Sequence, residues 1–314
     1  MSGALDNPIF TDADKAREHL EAQRWPNGAV CPHCGNADPS RIAALKGKAH
    51  RPGLYQCAEC REQFTVTVGT VFERSKIPLN KWLLAVHLMC ASKKGMSAHQ
   101  LHRMLGVTYK TAWFMAHRIR EAMRDENPEP MGGEGQIIEA DETYFGDKET
   151  ITKRTKRGKS GLASKRAVVA LVERGGSVRS FHVDRADVTS IREIVVTNVR
   201  RSSSLHTDES KLYTKTGTEF AAHETVKHSA GEYVRGAIHT NTIEGFFSVF
   251  KRGMKGVYQH CAEKHLFRYL AEFDFRYNNR TKLGVSDVER RDNALKGIDG
   301  KRLTYRRING TAFA

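Results

Sequence analysis

The sequence predicts a multidomain chain with a small β module first, an α segment next and a larger mixed α/β part last. Three observations carry this. Four cysteines fall in two CxxC pairs inside a turn-rich stretch, apolar residues then recur at helical spacing, and beyond a Pro/Gly-rich break strand-like and helix-like patterns alternate. The 314 residues leave room for two or three domains, and 39% hydrophobic content suffices for packed cores.

Lys and Arg number 51 against 36 Asp and Glu, and the net charge of +15 points to a polyanionic partner, with nucleic acid the leading class. Charged residues interrupt every apolar stretch well short of the roughly 20 residues needed to span a bilayer. The start MSGALDNPIF lacks a basic leader and an apolar run. The expectation is a soluble, unsecreted, cytoplasmic protein with no membrane partner.

Residues 1–27 hold a short helix over 11–25, with Thr11 as its N-cap and Pro26-Asn27-Gly28 as its stop. Residues 28–75 form the β module, where Phe64, Val66 and Val68 alternate with Thr65 and Thr67 and predict a strand. Within it, Cys31-Pro-His-Cys34 and Cys57-Ala-Glu-Cys60 are separated by 22 residues. Each tight turn delivers two thiolates, and four thiolates close a tetrahedral Zn²⁺ site. Such a site is structural, since no coordination position stays open, and His33 inside the first turn points away from it. Cys90 and Cys261 lie in apolar helical patterns and read as packing residues.

Residues 76–126 are helical. Trp82, Val86 and Met89 form one stripe, and Ala112, Met115, Ile119 and Met123 another. Between them Ser97 caps a short helix carrying Leu101 and Leu105, Gly106 closes it, and Thr108 starts the next. This cadence matches a helix-turn-helix, with Tyr109 and Lys110 placed for phosphate and base-edge contacts. A plain helical hairpin with a solvated basic face has the same spacing; the surrounding charge favours the DNA-binding reading.

The stretch 127–135 reads as a linker. Residues 136–285 form the α/β domain, with strands over 136–145, 165–172, 177–183 and 204–207 and helices over 190–199, 242–252 and 263–277. Residues 286–314 read as a basic C-terminal tail.

Acids stand at the ends of two of these strands. Alternation in Glu139-Ala-Asp141-Glu142 places Glu139 and Asp141 on one face and Glu142 opposite. Leu205-His206-Thr207-Asp208 is a second apolar strand ending in an acid. A helix opening at Asn241 carries Glu244 and Lys251, two turns or about 10 Å apart along one face. Carboxylates in this number suit hard divalent cations, Mg²⁺ or Mn²⁺, in phosphodiester chemistry.

Asp141 in EADETYFG, Asp208 in HTDES, and HTNTIEGFFSVFKRGMKGVYQH followed by HLFRYLAEFDFRYNNR resemble the DDE transposases of bacterial insertion sequences, in the ISXO-like group with an N-terminal zinc ribbon. The resemblance covers about residues 31–280. It implies a ribonuclease H-like catalytic domain over 136–285 and a zinc ribbon over 28–75. It also implies a DNA transposase that binds transposon ends and performs metal-dependent strand cleavage and strand transfer. Its partner would be double-stranded DNA, both terminal repeats and target, bound by at least a dimer and associated with the nucleoid.

In that family pattern Asp141, Asp208 and Glu244 are the catalytic, metal-binding acids, and Lys251 holds phosphate near the terminal nucleotides. Some members use an Asn at the third position, which makes Asn241 the alternative. Glu244 is favoured because a carboxylate neutralises a second metal; His239 is a weaker neighbour. Lys153, Arg154, Lys156 and Arg157 in the basic stretch 147–166, together with Lys251 and Arg252, are expected to grip DNA, although a flexible solvated loop has the same composition. Two other functions fit part of the pattern: a structure-selective nuclease on the same fold, and a catalytically inactive DNA-binding regulator. The regulator would lack at least one of the three acids, and all are present.

The cysteine pattern makes a direct prediction. Purified protein contains one zinc per chain by elemental analysis, and Cys31→Ser loses it; a zinc-free wild type would remove the ribbon.

Overall fold

The computed structural model describes residues 4–147 and 165–304. The chain divides into two compact units, one made of residues 1–124 and 286–314 and the other of 125–285.

In the first unit, α1 (Ala13–Arg24) is capped by Asp12, whose carboxylate accepts from the amides of Asp14 at 2.8 Å and Lys15 at 3.1 Å. The cap is Asp12 rather than Thr11, because a carboxylate that takes two amides at the positive end of the helix outcompetes a hydroxyl. Trp25, just past the helix, packs edge-on against Tyr55 and Phe64 of a three-stranded antiparallel sheet, β1 (Ile42–Ala44), β2 (Tyr55–Cys57) and β3 (Gln63–Phe64). The expected strand through Val68 stops at Phe64. Residues 66–69 form turns, with Val68 N donating to Thr65 O and the Thr65 and Thr67 hydroxyls 3.0 Å apart. Threonine side chains that bond locally draw the backbone away from a ladder.

The helices fall where their caps place them: α2 (Leu79–Ala91), α3 (Ala98–Leu105) and α4 (Tyr109–Ala122). Ser97 Oγ accepts from Gln100 N at 3.1 Å and Thr108 Oγ1 from Thr111 N at 3.2 Å. The stripes of Trp82, Val86 and Met89, of Leu101 and Leu105, and of Ala112, Met115 and Ile119 are buried.

The expectation that residues 286–314 are a basic tail is corrected for its first part. Asp287–Lys296 is a helix with a capping box of Ser286 and Glu289, and it packs on α2. Its Arg290 donates to Cys90 O at 2.9 Å, satisfying a carbonyl at the end of α2.

The second unit is built on a five-stranded sheet of described residues: β4 (Ile137–Asp147), β5 (Lys165–Glu173), β6 (Val178–Val183), β7 (Ser204–Asp208) and β8 (Ala222–Val226). Its order is β6-β5-β4-β7-β8; β4, β5 and β6 are antiparallel neighbours, while β7 and β8 run parallel to β4. Alternate residues of β5 enter opposite cores. Val168, Ala170 and Val172 meet α6 (Asn241–Gly253) and α7 (Leu266–Asn278), whereas Val169 and Leu171 meet α5 (Val188–Asn198). Both faces are covered, which explains the unbroken apolar run AVVALV. From α6, the buried Ile243, Phe246, Phe247 and Phe250 anchor the helix across one face. Each such side chain contributes roughly 1.5–3 kcal/mol when fully buried. A short hairpin, β9 (Val234–Arg235) and β10 (Ile238–His239), leads into α6. No helix among the described residues is long and apolar enough to cross a membrane.

Close packing of the C-terminal helix yields a test. A Cβ on Gly297 would stand 2.1 Å from the carbonyl oxygen of Ala122, and backbone cannot yield. Gly297→Ala should therefore destabilise the protein by about 1–3 kcal/mol in urea titrations; an unchanged midpoint would show that this contact is absent.

Candidate active site

The four cysteines of the β module converge, with all their sulfurs within 4.8 Å of one another. Cys31 Sγ lies 3.6 Å from Cys60 Sγ, and Cys34 Sγ 3.7 Å from Cys57 Sγ. Zinc–thiolate bonds of about 2.3 Å in a tetrahedron require sulfur edges of about 3.8 Å, whereas a disulfide needs about 2.05 Å. The donor set fits Zn²⁺. Gly35 and Arg61 each follow the second cysteine of a pair, and both adopt left-handed backbone at φ 77° and 63°. The amide of Cys60 holds the Cys57 thiol down at about 6, helped by Asn36 Nδ2 at 3.6 Å. His33 is exposed and outside the cluster, as expected.

The acids of the second unit meet where the sheet opens. Parallel pairing of β4 with β7 ends at Glu139 opposite His206, two residues short of both Asp141 and Asp208. Beyond that point lies a cleft of about 920 Å³ bordered by Asp141, Glu142, Asp208 and Glu244. Crevices outside the carboxyl ends of parallel strands are the usual ligand sites of α/β sheets. Burial, followed by the charges of Asp208 and Glu142 and, more weakly, Glu244, pushes the Asp141 carboxyl up to about 8. Glu142 lies on the opposite face from Asp141, as alternation requires, and accepts from Tyr213 Oη at 2.8 Å. Burial raises its pKa as well. Asp208 accepts from Ser210 N at 3.0 Å.

Glu244 sits in the first turn of α6, where the helix dipole favours a carboxylate. Its Oε1 accepts from Thr240 Oγ1 at 3.2 Å and lies 3.6 Å from His228 Nε2. Lys251 and Arg252, from the last turn of the same helix, border the cleft together with Lys255. Hard carboxylate oxygens carrying unbalanced negative charge fit Mg²⁺ or Mn²⁺.

Asn241, the first residue of α6, is exposed and does not border the cleft. His239 turns to Glu139 instead, with Nδ1 3.3 Å from its Oε1. In the first unit Tyr109 is 45% exposed at the start of α4, beside Lys110, and stacks on His99 at 4.3 Å. Lys153, Arg154, Lys156 and Arg157 lie outside the described residues.

Sequence reasoning missed His228, Tyr233 and Lys255, which also border the cleft. Lys255 follows Lys251 by four residues, a signal that was available. His228 and Tyr233, with rings 5.1 Å apart, come from an irregular segment with no motif.

Residues 132–278 match the model of an ISXO2-like transposase domain, and residues 11–63 match that of a transposase zinc-ribbon domain. The chain is also similar to a protein in the transposable element ISH50 of Halobacterium salinarum, with 29% identity over 279 residues, covering 85% of this chain and 91% of the relative.

The raised Asp141 carboxyl fixes a pH dependence. The native state keeps a proton that an unfolded Asp loses above its model value of 3.8, so the Asp141 contribution to stability falls as pH rises from about 4 to about 8. In EDTA, Asp141→Asn should melt above wild type at pH 9, by about 2 °C or more, and the gap should narrow at pH 5. Added MgCl₂ should raise the wild-type melting temperature more at pH 9 than at pH 6, where it must displace the proton, and should leave Asp141→Asn little changed. Identical pH profiles for the two proteins would contradict this electrostatic picture.

Proposed function

We propose that the chain, whose residues 132–278 match the ISXO2-like transposase domain and residues 11–63 the transposase zinc-ribbon domain, is the DNA transposase of an insertion sequence, cutting and joining DNA at the carboxylate cleft. The observation that carries the reading is the meeting of Asp141, Asp208 and Glu244 in one cleft, with basic side chains of α6 along its border.

The ribonuclease H-like assignment is supported by the sheet order β6-β5-β4-β7-β8, with one acid on β4, a second ending β7 and a third on the helix after the sheet. Capped helices α3 and α4, with Tyr109 exposed, support the helix-turn-helix reading.

Asp141, Asp208 and Glu244 would hold the Mg²⁺ or Mn²⁺ ions. When bound, such ions supply activation of the attacking oxygen and charge stabilisation at the leaving oxygen. Lys251, Arg252 and Lys255 hold the phosphates of the strand and offset its charge. Attack by water at the transposon end breaks one P–O bond and forms another, leaving a 3′-hydroxyl. That hydroxyl then displaces a 3′-oxygen of target DNA in a transesterification that needs neither a covalent enzyme intermediate nor ATP. Joining two ends at one target requires at least a dimer.

A strand-transfer assay with end-containing DNA and Mg²⁺ tests this. Wild type gives joined product, and Asp141→Ala and Asp208→Ala give none. Glu244→Gln loses cleavage but retains end binding, while Asn241→Ala stays active; the reverse pattern moves the third role to Asn241. Cleavage without joining would mark a nuclease, and binding alone a regulator.

A further inference from the structure

Glu139 is an acid beside the cleft that does not border it. It is fully buried, two residues before Asp141 on the same face of β4. Its Oε2 accepts from the backbone amides of Thr242 at 2.9 Å and Ile243 at 3.0 Å, and its Oε1 from Thr242 Oγ1 at 2.9 Å and Arg174 Nε at 2.6 Å. These amides belong to the first turn of α6, where a helix leaves its N–H groups unpaired. Thr240 holds the N-cap position yet gives α6 no side-chain cap. A strand residue more than a hundred positions earlier supplies it.

The remaining bonds close the arrangement. Arg174 also donates to Ala237 O at 2.5 Å and His239 O at 2.7 Å, binding the hairpin that enters α6 to the turn after β5. Because Glu139 caps the helix, the Thr240 hydroxyl is left to donate to Glu244. A single carboxylate thus holds the first turn of the helix at Thr242 and Ile243, the latter one residue before Glu244, and itself stands two residues before Asp141 on its own strand.

We propose that Glu139 is a positioning residue that sets the third acid against the first: it binds no metal and no DNA, but fixes Glu244 relative to Asp141 by capping α6 from the sheet. This rests on the reading of the cleft as a divalent-cation site. Groups that orient metal ligands typically alter metal affinity 10–100-fold when removed.

The test uses full-length protein and three readouts: Mn²⁺ affinity from the electron paramagnetic resonance of free Mn²⁺, melting temperature in EDTA, and kcat and KM for strand transfer. Glu139→Gln keeps the shape but presents an amide N–H₂ to a donor. It should weaken Mn²⁺ binding about tenfold and lower kcat at least about tenfold, with KM for end DNA nearly unchanged. Glu272→Gln is the control: Glu272 is another fully buried acid, paired with Arg276 on α7 and outside the cleft. It should lower the melting temperature comparably and leave Mn²⁺ affinity within about twofold of wild type. Thr242→Val, which removes only the hydroxyl donor to Glu139, should weaken Mn²⁺ binding in the same direction and covers the case in which Glu139→Gln does not fold. Wild-type Mn²⁺ affinity in the Glu139 or Thr242 variant overturns the proposal, as does a loss that tracks melting temperature equally in the Glu272 control. A wild type that binds no Mn²⁺ overturns the cation-site reading itself, a distinct result.

Discussion

Repulsion among like charges at the open end of the sheet is the constraint to which the second unit is built. Asp141 stands among Asp208, Glu142 and Glu244 in a partly buried place, and its neighbours' charges add to burial in opposing its ionisation. Like charges gathered in a partly buried place repel one another more strongly than they would in water. The sheet resists because both of its faces are packed and β5 pairs with β4 along nearly its whole length, through Asp141 itself opposite Ala170. On the other side β4 and β7 cease pairing just before the acids. The scaffold is paired on one side of Asp141 and open on the other.

Much of this was legible in the sequence because its signals are local. Paired CxxC turns, Ser97 and Thr108 as caps, and acids ending apolar strands need only a few neighbours to be read. The failures share one cause, which is dependence on distant partners or on competition within a turn. The C-terminal helix is polar enough to pass for a tail, and its reason to form is the face of α2 that it covers. Threonines at 65 and 67 satisfied a strand pattern while bonding locally. Glu139 looked interchangeable with Asp141 by alternation. What separates them is a helix N-terminus from the far end of the domain, which takes Glu139 out of the cleft and buries it.

Two clusters of potential ligands differ in donor type. The ribbon offers four sulfurs within 4.8 Å of one another, and the cleft is bordered by carboxylates, with the His228 ring beside Glu244. The ribbon's core of Trp25, Tyr55 and Phe64 is small, so four thiolates substitute for the apolar area it lacks. The +15 net charge acquires a location in part: Lys251, Arg252 and Lys255 stand beside acids that would otherwise repel a phosphate backbone.

The helix after residue 285 also sets an order of assembly. Because residues 286–314 complete the unit begun by residues 1–124, the second unit is an insertion within the first. During synthesis the ribbon and helices α2–α4 emerge early but lack their last packing partner until Asp287–Lys296 has been made. At about 5–20 residues per second that delay is on the order of ten seconds. The second unit, contiguous in the chain, has no such wait. A truncated product ending near residue 285 would therefore carry the full set of acids on an intact sheet while its ribbon-bearing unit remained unfinished.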